Sequence, residues 1–144
     1  MITGDDYISL AAQLAAKRSA GEASYRSAVS RAYYGAFHLA SSFLSELGFK
    51  VPKGANAHGW IPQALVGSGC DDAMDAGRLL QDLHAERITA DYRWDNRATG
   101  NQRDAKTSVE TADQVRSLLV ASAAQGARGI VKAGVAEYLR KRGD

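Results

Sequence analysis

Proline is almost absent from this chain, and no part of it has the pattern of a strand. The 144 residues include only Pro52 and Pro62. Nowhere do β-branched and aromatic residues alternate with polar ones, as a half-buried strand would require. Apolar residues recur instead at helical spacing, in segments rich in Ala, Leu, Ser, Arg and Glu. We therefore predict an all-α fold, an antiparallel bundle of four to five main helices plus a C-terminal helix.

Capping residues and helix breakers divide the chain into six predicted helices. The first runs from an N-cap at Thr3 or Asp5 to about Arg18, and a short third helix follows Asn56. The other predicted helices span residues 22–47, 71–92, 104–124 and 130–142. We interpret residues 1–144 as one domain without internal repeats. The segment between the fourth and fifth helices lacks apolar periodicity, and an exposed loop of this length favours a functional role.

Composition and motifs argue against several classes of function. A formal net charge of +2 is too small for a general polyanion-attracting field, so any contact with nucleic acid must depend on local clusters. The single cysteine, Cys70, argues against a disulfide or a zinc site. The sequence has no Gly-rich phosphate loop, His-Glu-x-x-His box or carboxylate cluster, so we expect no metal and no cofactor. No apolar run approaches the roughly 20 residues of a membrane span, and we expect a cytoplasmic protein without a membrane partner.

The long second helix has two unlike faces. The apolar stripe that would pack on a core contains Tyr25, Val29, Ala32, Ala36, Leu39, Ala40, Phe43 and Leu47. The opposite face contains Ser24, Ser27, Arg31, Gly35, His38, Ser42 and Ser45. Solvated faces usually carry Glu and Lys, whereas small residues let another backbone approach closely. This pattern predicts a homodimer with Ser27, Gly35 and Ser42 at its interface.

Arg31 and His38 are the long polar residues of that second face. They lie seven positions apart, which is two helical turns and about 10.5 Å of rise, and Tyr34 lies at the edge of the same face. The three side chains could surround one phosphate. An imidazole can accept the proton of an RNA 2′-hydroxyl or protonate the departing 5′-oxygen, while a guanidinium stabilises the phosphorane, so the reaction needs no metal. Two-fold pairing would bring a second His38 alongside; the alternative is that Arg31 and His38 only form hydrogen bonds across a subunit contact.

Three residues outside this helix are weaker candidates. His58 either lines the same cleft or caps the third helix. His84 lies among charged residues of the fourth helix and is expected on a solvated face. Arg87 and Asp91 are spaced to form an ion pair beside the ring of Tyr92, which we expect to be buried; this cluster is either a structural clamp or part of the cleft.

The loop from Arg93 to Arg103 combines cationic side chains with an aromatic ring. Arg93, Arg97 and Trp94 have the charge and the stacking surface that bind single-stranded RNA. The alternative is an exposed loop that is basic by chance. The basic residues 140–142 need no partner, because cations at a helix C-terminus interact favourably with the helix dipole.

The stretch from Ser30 to Gly48, SRAYYGAFHLASSFLSELG, resembles the signature helix of the HEPN domains (higher eukaryote and prokaryote nucleotide binding). That family's motif is an Arg and a His with four to six residues between them, and Arg31 and His38 match its long-spacing form, in a subgroup with an "RAYYAAFH" helix. His58, in a segment after the long helix, and ERITADY at residues 86–92 are also similar to elements of the family. The resemblance covers about residues 5–124.

The resemblance implies a helical bundle that dimerises with both Arg–His pairs in a shared cleft. In many members this cleft is the active site of a metal-independent endoribonuclease. Such members are often toxins paired with a nucleotidyltransferase antitoxin, or parts of a phage-defence system. Active members often have a polar residue after the motif Arg, where this chain has Ala32. The alternative implied by other members is a non-catalytic module that binds a nucleotide or a nucleotidyltransferase partner.

Overall fold

The computed structural model describes residues 1–143, which form six helices and, within that range, no strand. The helices are α1 (Gly4–Ala16), α2 (Glu22–Glu46), α3 (Ala57–Val66), α4 (Asp71–Tyr92), α5 (Gln102–Ala123) and α6 (Ala127–Arg142). The all-α prediction is confirmed, and the helix ends lie within one turn of the predicted ones. No helix in the described range is long and apolar enough to cross a membrane.

Local chemistry explains where the helices begin and end. Thr3 and Asp6 form a reciprocal capping box at the start of α1, with the Thr3 amide donating to Asp6 Oδ2 at 2.7 Å. Gly48 follows α2 with a φ of +96°, a conformation that glycine adopts without strain. Pro62 lies inside α3 and lacks the N–H that would bond the His58 carbonyl four residues earlier.

Helix α2 is the centre of the bundle and packs against α1, α3, α4 and α5. The predicted apolar stripe faces the core, with Leu39 half-buried and its other members buried. Several of these residues are alanines without solvent exposure, which lets the neighbouring helices approach α2 closely. Tyr33 and Leu44, which the predicted stripe did not include, are also completely buried.

The predicted role of Gly35 in a subunit contact is wrong, because α1 of the same chain covers it. A Cβ atom on Gly35 would lie 2.6 Å from Ile8 Cγ1 and 2.8 Å from the Gly4 carbonyl oxygen. A helical pattern shows that a face lacks bulky side chains, but not which helix packs there. Ser27 and Ser42 are exposed, and their place in a dimer interface stays a prediction.

Helix α6 packs against α3 and α5. Its buried residues are Val131 and Val135, and the Tyr138 ring lies directly on Gly67. Arg140 forms an ion pair with Glu137 one turn earlier. Helix α6 therefore extends the core without contributing to the face that carries Arg31 and His38.

Candidate active site

Arg31 and His38 are both exposed on the same side of α2, as predicted. Neither forms a hydrogen bond or an ion pair with any residue in the range 1–143. Both contact the ring of Tyr7 in α1: the Arg31 guanidinium carbon lies 5.4 Å from the ring centroid, and the His38 ring meets its edge at 6.1 Å. Their polar atoms are therefore free to bind a ligand, while the Tyr7 ring packs against both the guanidinium and the imidazole.

A cavity of about 460 Å³ opens beside His38. Tyr7 and Ser42 line it together with the first residues of the chain. The sequence analysis did not identify Tyr7, and its only signal was an aromatic residue beside the buried Ile8 on the first turns of α1. The space beside the imidazole of His38 is therefore large enough for a sugar and its phosphate.

Tyr34 is half-buried and is held by a network from α4. Arg87 Nη2 donates a hydrogen bond of 2.6 Å to Tyr34 Oη, and its Nε lies 3.0 Å from Asp91 Oδ2 in an ion pair. Ser30 donates to the same carboxylate oxygen at 3.2 Å. The predicted Arg87–Asp91 pair is thus present, and its contacts direct Arg87 at Tyr34.

The prediction that the ring of Tyr92 is buried beside this pair is wrong. Tyr92 is 68% exposed at the end of α4, although the Arg87 guanidinium carbon lies 5.5 Å from its ring centroid. The last residue of a helix has neighbours on its preceding turn only, so less of its side chain can be covered.

The three histidines of the chain converge on this side of the bundle. His58 stacks on Phe37 with ring centroids 4.7 Å apart, and the Phe37 and His38 rings meet in a T-shaped contact at 5.4 Å. His58 also stacks on His84 at 5.3 Å, with the two ring planes only 10° apart. The expectation that His84 lies on a solvated face is wrong. It follows Leu80 by one turn on the edge of α4 that faces α2. Its spacing from this buried leucine was the sequence feature that could have indicated burial.

The environment of His58 and His84, which we call the histidine pair, favours the neutral form of both rings. Burial is the main cause that lowers the pKa of each, and the positive charge of Arg87 lowers both further. The two rings also face one another, so protonation of His84 lowers the pKa of His58. Burial raises the pKa of Tyr33, whose Oη lies 2.6 Å from His58 Nδ1.

Arg26 anchors the loop between α4 and α5. Its side chain is buried, and Nη1 donates to the carbonyl oxygens of Thr89, Ala90 and Arg93 at 3.1 to 3.3 Å. Nη2 donates to the Asn96 carbonyl at 3.0 Å. The sequence analysis missed this residue, because nothing local marks an arginine on a helix as buried.

The anchored loop places Trp94 at the rim of a cavity of about 540 Å³ beside the first half of α2. Trp94 is 74% exposed, and Ser27 and Asp91 line the same cavity. Arg93 and Arg97 are exposed on the loop, as predicted. Asp91 thus borders both this cavity and the network that holds Tyr34, so contacts through Arg87 and Tyr34 connect the surface at Trp94 with the histidines.

The side chains of this surface offer imidazole, phenol and guanidinium groups. In the described part of the chain, no three His, Cys, Asp or Glu side chains are arranged as the ligands of a metal ion would be. The chemistry that these residues can supply directly is proton transfer, hydrogen bonding to an anion, and aromatic stacking.

Comparison with known proteins identifies the family. Residues 11–123 match the HEPN domain, a range that includes the last turns of α1 and all of α2 to α5 and leaves out α6. No curated protein and no solved structure matches the chain significantly. The matched range contains Arg31, His38 and the histidine pair, while the "RAYYAAFH" subgroup stays a prediction. Since the match covers well over half of its residues, this chain belongs to the HEPN domain family.

Proposed function

We propose that this protein is a metal-independent endoribonuclease that acts as a homodimer, with Arg31 and His38 as catalytic residues. The observation that carries the proposal is their placement: both side chains are exposed on one face of α2, are held by the Tyr7 ring, and have no polar partner among residues 1–143. Membership of the HEPN family, whose domains often act on RNA, supports the same function.

The reaction that fits these groups is transesterification within the RNA. The 2′-oxygen attacks the phosphorus, a 2′-O–P bond forms, and the P–5′-O bond breaks. One imidazole accepts the proton of the 2′-hydroxyl and another gives a proton to the departing 5′-oxygen. Arg31 stabilises the added negative charge of the phosphorane. The products are a 2′,3′-cyclic phosphate and a free 5′-hydroxyl, and the second His38 of the dimer supplies the second proton-transfer group.

Tyr34 contributes as a third group of the same site. Because Arg87 donates to Tyr34 Oη, the phenolic hydrogen is left to donate to a phosphate oxygen. Arg87, the adjacent Asp91 and Ser30 act as positioning residues, since their contacts are with protein groups. Arg87 thus belongs to the cleft, as one of the two alternatives predicted, but it acts on a bound nucleotide through Tyr34 and not by direct contact.

The loop between α4 and α5 is the proposed contact for the RNA strand outside the reacting nucleotide. A base can stack on the exposed ring of Trp94 at the rim of the larger cavity, and Arg93 and Arg97 can neutralise neighbouring phosphates. Such a surface binds single strands with little preference for sequence.

Ala32 does not weaken the catalytic proposal. It is completely buried in the core, so the absence of a polar side chain at this position removes no group from the exposed face.

We further propose that Ser27 and Ser42 border the dimer contact. We also propose that the protein is the toxin of a toxin–antitoxin or phage-defence system in the cytoplasm, with a nucleotidyltransferase as antitoxin.

The test is incubation of the purified full chain with mixed RNAs in EDTA, followed by analysis of the fragment ends. We expect cleavage with 2′,3′-cyclic phosphate ends, and its loss in His38→Ala. Arg78→Ala is the matched control, because Arg78 is an exposed residue of α4 whose partner is Asp75. Intact RNA with the wild-type protein would contradict the proposal.

The second candidate is a non-catalytic module that binds a nucleotide. The cavity beside Trp94 favours it, because an exposed ring at the rim of about 540 Å³ of open space can stack on one base. If the wild type and His38→Ala both leave RNA intact but ATP or a nucleotidyltransferase binds, this candidate replaces the ribonuclease.

A further inference from the structure

The histidine pair has no role in the reaction at Arg31 and His38, yet the fold brings its two rings together from separate helices. His58 comes from the first turn of α3 and His84 from the middle of α4. Both are half-buried, and the Phe37 ring contacts both His58 and His38. Two stacked imidazoles beside a proposed phosphate site therefore need their own explanation.

Tyr33 fixes the tautomer of His58. The phenol has no exposed surface, and its one hydrogen-bond partner among residues 1–143 is His58 Nδ1 at 2.6 Å. Burial raises its pKa and so keeps the phenol protonated, and because its O–H has no other acceptor among these residues, it donates to His58 Nδ1. A neutral imidazole that accepts at Nδ1 carries its own proton on Nε2. His58 thus presents an N–H donor at the atom pointing away from Tyr33.

The charges around the pair favour an anion. From α2, His58 faces Tyr33, Tyr34 and His38, and from α4 both rings face Arg87. Within the described range, no carboxylate is among the groups that shift the pKa of either ring, and the Asp91 carboxylate is paired with Arg87. The groups that act on the pair are therefore neutral or cationic, and a bound anion would reverse their effect and favour protonation of the rings.

We propose that His58 and His84 form a phosphate-binding subsite, separate from Arg31 and His38, which holds a neighbouring phosphate of the RNA strand and takes up a proton when it is filled. The proposal rests on the proposed function for the identity of the strand. His58 donates through Nε2–H, and His84, whose ring makes no hydrogen bond within the described residues, is the group that gains the proton.

The direct test follows the imidazole nitrogens of the full chain by 15N NMR at pH 7. In the free protein, we expect His58 to be protonated at Nε2 and unprotonated at Nδ1. The probes are a single-stranded 2′-deoxy-oligonucleotide, which lacks the attacking hydroxyl and cannot be cleaved, and inorganic phosphate. Either probe should raise the pKa of His84, and calorimetry in buffers of different ionisation enthalpy should show proton uptake on oligonucleotide binding. Response to phosphate but not to the oligonucleotide would overturn the assignment to a nucleic-acid strand.

Two variants sharpen the test. His84→Asn should abolish the proton uptake and weaken oligonucleotide binding by about tenfold, the loss of roughly one charge-assisted hydrogen bond. Tyr33→Phe should release the tautomer of His58, so that both nitrogens show partial protonation. Arg78→Ala should reproduce the wild type in both measurements.

The outcomes separate this inference from the proposed ribonuclease. If RNA is never cleaved but the oligonucleotide shifts the histidine pair, the subsite stands and the catalytic proposal fails. If RNA is cleaved but neither probe changes the pair, or if His58 is protonated at Nδ1 in the free protein, the subsite is refuted and catalysis is unaffected.

Discussion

Replacing Arg26 by methionine tests whether this arginine holds the end of α4 and the following loop. Methionine keeps most of the apolar stem, so the change removes mainly the guanidinium. The wild-type group donates to four carbonyl oxygens, from Thr89 to Asn96, and lies 2.8 Å from Glu22 Oε1. Because the Glu22 side chain is largely exposed, that ion pair adds little to the free energy of unfolding.

The magnitude follows from the carbonyls that lose a donor. The bond to Ala90 is buried, and an unsatisfied buried acceptor costs about 1–3 kcal/mol. The other three are partly buried, so water can replace the arginine at a smaller cost. Together we expect Arg26→Met to lower the free energy of unfolding by about 2–4 kcal/mol, most of it from the buried Ala90 carbonyl.

The assay is urea unfolding monitored by circular dichroism, together with thermal unfolding. Arg26→Lys should recover only part of the loss, because an ammonium cannot reach carbonyls on both the helix end and the loop. Arg78→Ala is the control and should change the free energy of unfolding by less than about 0.5 kcal/mol. The anchoring role would be refuted if Arg26→Met and Arg26→Lys lowered the free energy of unfolding equally and by less than about 1 kcal/mol.

Three further predictions concern packing, catalysis and pH. Gly35→Ala should lower the free energy of unfolding by about 1–3 kcal/mol because α1 must move, whereas Gly59→Ala, where a Cβ atom would meet only Gln63 Nε2 at 3.9 Å, should raise it slightly. Equal effects in urea titrations would contradict the packing. Arg31→Ala and His38→Ala should each reduce the cleavage rate by about 10²-fold with an unchanged melting temperature, and Arg31→Lys should rescue poorly; a matching drop in stability would mean that the loss is structural. The pKa of each ring of the histidine pair is lower in the folded than in the unfolded chain. Below about pH 6.5 the unfolded chain therefore binds more protons than the folded chain, and the free energy of unfolding decreases as the pH falls. Replacing both rings by asparagine should flatten the stability–pH curve below about pH 6.5, and an unchanged slope would contradict the pKa directions.

Local sequence alone determined the helices and the relation between Arg31 and His38. Caps such as Thr3 and breakers such as Gly48 act within a few residues, and a helix repeats its direction every 3.6 residues. Two side chains seven positions apart therefore point the same way whatever surrounds them. The same periodicity placed most of the core stripe of α2 correctly.

Only the tertiary structure decided what lies beside each face. Gly35 belongs to the contact with α1, Tyr7 comes to lie against both Arg31 and His38, and His84 stacks on His58 from another helix. Arg26 is buried because a distant loop supplies carbonyls for it. These relations depend on how each helix is rotated about its axis and where it crosses its neighbour. Those angles are set by the packing of the whole core, and no local pattern of residues encodes them.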